Sequence, residues 1–285
     1  MNLPSKCKLI YEPKGRAGEY AKLACNIYRG CDHGCTYCYG PGVTRKSRED
    51  FANSTTRAAS FMETLTKEAA WCAEARITEK ILLCFTCDPY QRLDKKLGLT
   101  RRAIQILKGA GLNIQILTKG GMASLRDLDL LTPSDAYATT LTFTDTTYGW
   151  AVSSQWEPRA APPGERIAAL KIYHEAGIPT WVSLEPVIEP RESLALIEAV
   201  ADYTDHFKVG KLNYHPLASG IDWRAFANAA IQRLEAAGKP YYIKADLAKY
   251  LGRNEGYWGI EPVSAPVLWL PAPDSAGDTK VRPCE

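Results

Sequence analysis

No run of about 18 apolar residues occurs in this chain, so the sequence holds no candidate for a membrane-crossing helix. The opening residues, "MNLPSKCKLIYEPKG", lack the apolar core of a secretory signal, and a cytoplasmic protein is the expectation. A strong excess of one charge is also missing. Thirty-five basic residues stand against 32 acidic ones, leaving +3. That balance admits a nucleic-acid partner without arguing for one. Nine cysteines is an odd number, and a reducing compartment disfavours disulfides, so no disulfide framework is expected. What remains is an ordinary globular mixture, 46% hydrophobic and 24% charged. The 285 residues are enough for one large α/β domain or two small ones.

The hydrophobic pattern alternates between two periods. "FMETLTKEAAWCAEA", "TRRAIQILKGAG", "GERIAALKIYHEAG", "SLALIEAVADY" and "WRAFANAAIQRLEAAG" carry apolar residues at three- and four-residue steps and predict helices. "SLRDLDLL" predicts a shorter one. Between them, "KILLCFTCD", "NIQILTK", "AYATTLTF", "PTWVSLEPV", "DHFKVGKLN" and "PYYIK" are short β-branched and aromatic runs that predict strands. Three helices close on glycine before a strand, in "GAGLN", "EAGIP" and "AAGKP", as a left-handed helix terminus requires. Repeated helix–glycine–strand joints imply parallel pairing with right-handed crossovers. The fold class expected is α/β, a partial open (β/α)6-type barrel resembling an incomplete TIM barrel. Residues 1–24 are expected to form an N-terminal extension, 25–256 the barrel core and 257–285 a proline-rich tail.

Parallel sheets place ligands at the carboxyl ends of their strands. Cys87 and Asp88, Lys119, Thr140 and Thr142, Glu185, and Lys211 with Asn213 fall at such ends. Singly, each is as readily a helix cap or a solvated loop residue; together they mark one rim.

The densest feature is "NIYRGCDHGCTYCYG", where Cys31, Cys35 and Cys38 are spaced C-x3-C-x2-C. A structural zinc site wants four ligands, and no matching pair lies nearby. Cys84 and Cys87 have C-x2-C spacing but belong to the end of a strand. Bacterial ferredoxin spacing needs a fourth cysteine close by, and it is absent. A [4Fe-4S] cube on three thiolates leaves one iron open to a substrate or cofactor. No second complete cysteine motif marks an auxiliary cluster, and no separate nucleic-acid-binding domain is visible.

C-x3-C-x-aromatic-C, with Tyr37 as the aromatic, resembles the signature of the radical S-adenosylmethionine (SAM) superfamily. "YRGCDHGCTYCYG", "TCDPYQRLDKKLGLTRRAIQIL", "ILTKGGMASLRDLDLL", "WEPRAAPPGERIAALKIYHEAGIP" and "VSLEPVIEP" resemble its spore photoproduct lyase-like branch, over most of residues 28–190. The resemblance implies a radical SAM fold, a [4Fe-4S] cluster on Cys31, Cys35 and Cys38, and SAM chelated to the open iron. One electron would cleave the sulfonium, and the 5′-deoxyadenosyl radical would take hydrogen from a substrate. It also implies an electron donor of the flavodoxin or ferredoxin type.

Further roles follow from the same resemblance. Tyr37 would pack beside the cluster and the adenine. Asp88 stands where many members carry Gly-Gly-Glu for the SAM amino group. Lys119 would meet the SAM carboxylate, and Thr140 and Thr142 lie near a hydroxyl position that helps hold SAM. Val187 and Ile188 match a strand edge facing the adenine. Cys87 is the candidate for returning a hydrogen atom to the product radical. Strand alternation would turn Cys84 the other way. Arg29, His33 and Tyr39 flank the cluster motif, as tuning groups or as loop scaffolding. Lys208, Lys211, Asn213, Tyr241, Tyr242 and Lys244 could line a substrate side, whereas His174 and His206 are expected to face solvent.

The function expected is radical chemistry on a DNA or nucleotide base, in repair or modification. Two alternatives stay open: modification of a small metabolite or peptide, and a non-catalytic iron–sulfur electron carrier.

Overall fold

The computed structural model describes residues 3–262. Of the proline-rich tail expected over 257–285, residues 263–285 lie outside the described residues, and Cys284 with them.

Nine strands form one sheet in chain order. They are β1 (Ile10–Tyr11), β2 (Leu23–Cys25), β3 (Ile81–Leu83), β4 (Ile114–Thr118), β5 (Ala136–Thr140), β6 (Thr180–Leu184), β7 (His206–Val209), β8 (Tyr241–Ile243) and β9 (Tyr257–Ile260). Strands β2 to β8 pair in parallel; β1 and β9 cap the two edges antiparallel. The parallel set holds seven strands, and the three residues of the first, β2, precede the cysteine motif. The residues of β5 and β6 are buried throughout, as in a sheet covered on both faces.

The crossovers run through α1 (Phe61–Glu74), α2 (Leu99–Gly109), α3 (Thr147–Trp156), α4 (Pro163–Glu175), α5 (Pro190–Val200) and α6 (Trp223–Ala236). The short helix expected near "SLRDLDLL" is a 3-10 stretch, Gly121–Leu130. Gly111, Gly177 and Gly238, which close α2, α4 and α6, all take positive φ (75°, 76° and 62°). Only glycine enters that region without steric cost, so the joints form as their sequence implies.

The main core lies between sheet and helices. A smaller cluster, Ala24, Leu82, Ala136, Ala138 and Trp181, occupies the other face of the sheet, with Tyr20 and Phe85 packed against it. Residues 14–20 are thus laid over the sheet face that an open barrel leaves uncovered. Two cations tie them down: Lys208 donates to the carbonyls of Glu19 (2.7 Å) and Tyr20 (3.0 Å), and Arg16 pairs with Asp246. No helix among the described residues is long and apolar enough to cross a membrane.

Candidate active site at the carboxyl ends of the strands

A cavity of about 550 Å³ opens where β3 to β8 end. Its lining includes Cys31, Cys35, Cys38 and Tyr37 from the cysteine motif, Cys84, Cys87 and Asp88 after β3, Lys119 after β4 and Thr140 on β5. Glu185, Lys211, Asn213 and Lys244 complete the far side. Thr142, Val187 and Ile188 are not among the lining residues. The Thr142 hydroxyl donates to Glu157 (3.2 Å), and Val187 and Ile188 are buried in the main core.

The three motif cysteines are free thiols. Burial pushes each of them up, Cys35 to about 12, so the protein fold by itself does not stabilise thiolates there. A metal centre would, because a coordinating thiol gives up its proton. Among the described residues no three His, Cys, Asp or Glu side chains converge on a point that could hold one ion. A cubane makes no such demand, since each of its thiolates binds a different iron. The donor set fits the cluster: three thiols on one cavity wall, and the Gly40 N–H directed at Cys38 Sγ (3.3 Å).

The loop that carries the thiols is held from beneath. The Tyr37 hydroxyl donates to Glu157, and the Arg166 guanidinium lies 2.7 Å from the other oxygen of that carboxylate. Burial opposes ionisation of Glu157, but the charges of Arg166 and Lys119 with hydrogen bonds from Arg166 and Tyr37 outweigh it, holding the carboxyl at about 2. Backbone bonds from Thr36 to the Trp156 carbonyl (2.9 Å) and from Arg159 to the His33 carbonyl (3.1 Å) bind the loop to the end of α3.

Asp88 is engaged on both oxygens. One accepts from the Tyr90 N–H (2.8 Å) and the Thr118 hydroxyl (2.6 Å), the other from the Lys119 N–H (2.7 Å). His33 Nδ1 stands 3.6 Å away. Burial lowers the pKa of His33 and Asp88 opposes that, so the ring is neutral at neutral pH. Asp88 thereby ties the end of β3 to that of β4, with His33 of the cysteine loop beside it. The Lys119 ammonium rests 5.6 Å from the Tyr37 ring centroid and enters none of the ion pairs among the described residues.

Two expectations need correction. Strand β3 ends at Leu83, so the alternation argument stops before Cys84, and Cys84 and Cys87 line the same cavity. Burial pushes the Cys84 thiol well up, and the neighbouring Cys87 adds to the shift. His206 does not face solvent: it stacks on Trp181 (5.6 Å between centroids, 12° between planes). Of the other residues considered, Tyr39 lines the cavity and donates to the Phe85 carbonyl (2.8 Å). Arg29, Lys208, Tyr241 and Tyr242 are not in its lining. Sequence reasoning missed Tyr20, Glu157 and Arg166. Glu157 and Arg166 lie in the block "WEPRAAPPGER", whose unusual density of charge and proline was the available signal.

Residues 25–204 match the model of the radical SAM superfamily. The chain belongs to that superfamily. Its members use a [4Fe-4S] cluster and SAM. The fold is similar to a variant of spore photoproduct lyase, with a TM-score of 0.63 at 13% identity, over 85% of this chain and 80% of that one. It is also similar to SuiB of Streptococcus suis bound to S-adenosylmethionine, with a TM-score of 0.58 at 11% identity, over 80% of this chain and 51% of that one. At these identities the likeness is one of fold. Other structures of the two neighbours hold a dinucleoside spore photoproduct and a precursor peptide, respectively. In sequence, an uncharacterized protein of Methanocaldococcus jannaschii is 29% identical over 168 residues, 59% of this chain and 61% of that protein. An uncharacterized protein of Mycobacterium tuberculosis H37Rv is 27% identical over 175 residues, 57% of this chain and 48% of that protein. The chain thus matches about half to three-fifths of the length of these relatives.

Proposed function

We propose that this radical SAM enzyme removes a hydrogen atom from the base of a nucleotide or nucleic acid, in repair or modification. The observation that carries the reading is that one cavity joins the three motif thiols to polar groups from the ends of several other strands. Cluster and SAM, when bound, supply a 5′-deoxyadenosyl radical able to take hydrogen from an unactivated carbon. Cys31, Cys35 and Cys38 would hold the cluster. The Lys119 ammonium, which has no carboxylate partner among the described residues, would hold the SAM carboxylate by a charge-assisted hydrogen bond. Tyr37, fixed by Glu157, gives the adenine a wall. Thr140 adds a hydroxyl to the cavity lining, while Thr142, Val187 and Ile188 would act only from behind it. Asp88 would position Lys119 and His33. Cys87 would return hydrogen to the product radical, and a flavodoxin- or ferredoxin-type protein would deliver the electron.

The nucleobase reading draws on the dinucleoside-binding neighbour and on the aromatic groups Tyr20, Tyr39 and Phe85 around the cavity. The peptide-binding neighbour supports the alternative substrate class.

Anaerobic reconstitution tests the whole. Iron, sulfide and the reduced-state EPR signal should show one [4Fe-4S] cluster that is lost when Cys31, Cys35 and Cys38 are all replaced by alanine. Dithionite-reduced protein should convert SAM to methionine and 5′-deoxyadenosine, and Lys119→Ala should weaken SAM binding by about tenfold or more. Incubation with DNA, nucleosides or peptides, read by mass change, separates the substrate classes. Failure to form 5′-deoxyadenosine under any of these conditions would leave an electron carrier.

A further inference from the structure

We infer that the mouth of the cavity binds an oxyanion of the substrate, a phosphate or a carboxylate, on Lys211. The inference rests on the radical SAM reading for what fills the rest of the cavity.

The cavity has two cationic regions. Lys119 follows β4 and Lys211 follows β7, three strand spacings away, or about 14 Å across the sheet. If SAM occupies the first, the second is left for the substrate.

The carboxylates around Lys211 are already committed. Glu185 is paired with Lys244 and accepts from the Tyr20 hydroxyl; Asp246 is paired with Arg16 and with Lys249 (3.2 Å). Lys211 Nζ donates only to neutral acceptors, the Leu212 carbonyl (3.0 Å) and the Asn213 side-chain oxygen (3.3 Å). An ammonium has three donors, so one remains. Behind it stand the Trp223 ring (5.2 Å) and the Tyr250 ring (6.0 Å), which favour a cation but do not neutralise it. Desolvation lowers the Lys211 pKa; the charges of Asp246 and Glu185, neither within ion-pair distance, oppose this, and those of Arg16 and Lys249 add to it.

The backbone supports the same place. Tyr214 adopts φ of 58°, a left-handed conformation uncommon for a bulky residue, and its side chain is 86% exposed. Arg16 donates to its hydroxyl (2.9 Å). This contact links the segment that carries Lys14 to the loop that carries Lys211. A partly desolvated ammonium at a cavity mouth, with no carboxylate in contact with it, gains more from an anion than an exposed lysine does.

The test uses the reconstituted, SAM-loaded protein. Inorganic phosphate and acetate are titrated at constant ionic strength with chloride as balance, and acylation of Lys211 is followed by peptide mass. One of the two anions should protect Lys211 while the surface lysine Lys67 reacts unchanged. Protection by phosphate points to a phosphoester and protection by acetate to a carboxylate. In Lys211→Met, calorimetry should show anion binding weakened by about tenfold or more with SAM binding retained. No protection by either anion, or equal anion affinity in Lys211→Met, overturns the inference. A preparation that does not bind SAM counts against the enzyme reading alone; protection of Lys211 is then read on the unloaded protein, where its absence still overturns the inference.

Discussion

Cys84 and Cys87 show how a single side chain can be legible in type and illegible in direction. Both were visible as thiols near the end of a strand. Their facing was not, because β3 stops at Leu83 and the chain beyond follows no period of two. Both thiols now border the cavity, and only the one nearest the substrate carbon can return a hydrogen atom, since transfer needs contact at about 3–3.5 Å. Cys87→Ala should still cleave SAM and consume substrate but give abnormal products, measured by product mass and by hydrogen incorporation from solvent. Normal products from Cys87→Ala with abnormal ones from Cys84→Ala would move the role by three residues. His206 gives a second case. The sequence places it at the start of a strand, and only tertiary packing puts its ring between Trp181 and Trp258 (5.6 and 5.4 Å). Burial, with Lys208 and Lys80 nearby, lowers its pKa to about 3. The folded state therefore refuses a proton that the unfolded chain accepts near 6.5. Stability attributable to this ring is complete above 6.5 and is lost as pH falls toward about 3. The buried Lys208, lowered to about 7 by desolvation and by Lys244, titrates above that window. His206→Phe keeps the stack and removes the proton. Between pH 6.5 and 5 it should lose about 1–2 kcal/mol less stability than wild type in urea titrations.

Helices and strands were the most legible part of the chain, and the reason is periodicity. The amphipathic repeats of α1, α2, α5 and α6 are local features of the sequence, and so are the glycine stops of α2, α4 and α6. Helix α3 was missed. "TYGWAVSSQW" has Tyr148 and Trp150 exposed and only Gly149 and Ser153 buried, so no apolar stripe marks it. What fixes it is a cap, the Thr146 hydroxyl accepting from the Gly149 N–H (3.0 Å). Yet its end holds the cysteine loop. The glycine joints give a clean test of how much of the fold's stability is local. Around Gly177 and Gly238 nothing lies within 4 Å of an added Cβ, so a substitution there meets backbone strain and no clash. Gly177→Ala and Gly238→Ala should each cost about 1 kcal/mol, and the pair should add, because the joints share no partner. Chemical denaturation of the singles and the double checks both claims. A double variant far from additive would mean that the joints are coupled through the sheet.

An open parallel sheet leaves its inner face and one side unclosed, and here the chain's own first residues address both. Glu68 of α1 accepts from the backbone N–H groups of Lys8, Leu9 and Ile10 (2.9–3.1 Å), which fixes the start of β1. From there residues 14–20 reach the opposite edge, where Glu19 accepts from the Ala245 N–H (2.7 Å). Nothing in their composition announces this: the segment is polar, short of periodicity and carries one aromatic, Tyr20. That residue concentrates the contacts. Its ring meets Phe85 (5.8 Å) and Trp181 (6.0 Å), its carbonyl accepts from Lys208 and Gln115, and its hydroxyl contacts Ser183 and Glu185. The covering segment should therefore depend on this one side chain. Tyr20→Ala removes the ring and leaves Trp181 and Glu185 facing a gap, at a cost of about 3 kcal/mol. Tyr20→Phe keeps the packing and removes one hydrogen-bond partner from Glu185, at about 1 kcal/mol. Melting followed by circular dichroism should rank wild type above Tyr20→Phe and Tyr20→Phe above Tyr20→Ala, with a drop of several degrees for the last. Limited proteolysis should cut the alanine variant between residues 12 and 22 faster than it cuts wild type there. If both variants melt with wild type and resist cleavage, residues 14–20 are held by Lys208 and the backbone alone.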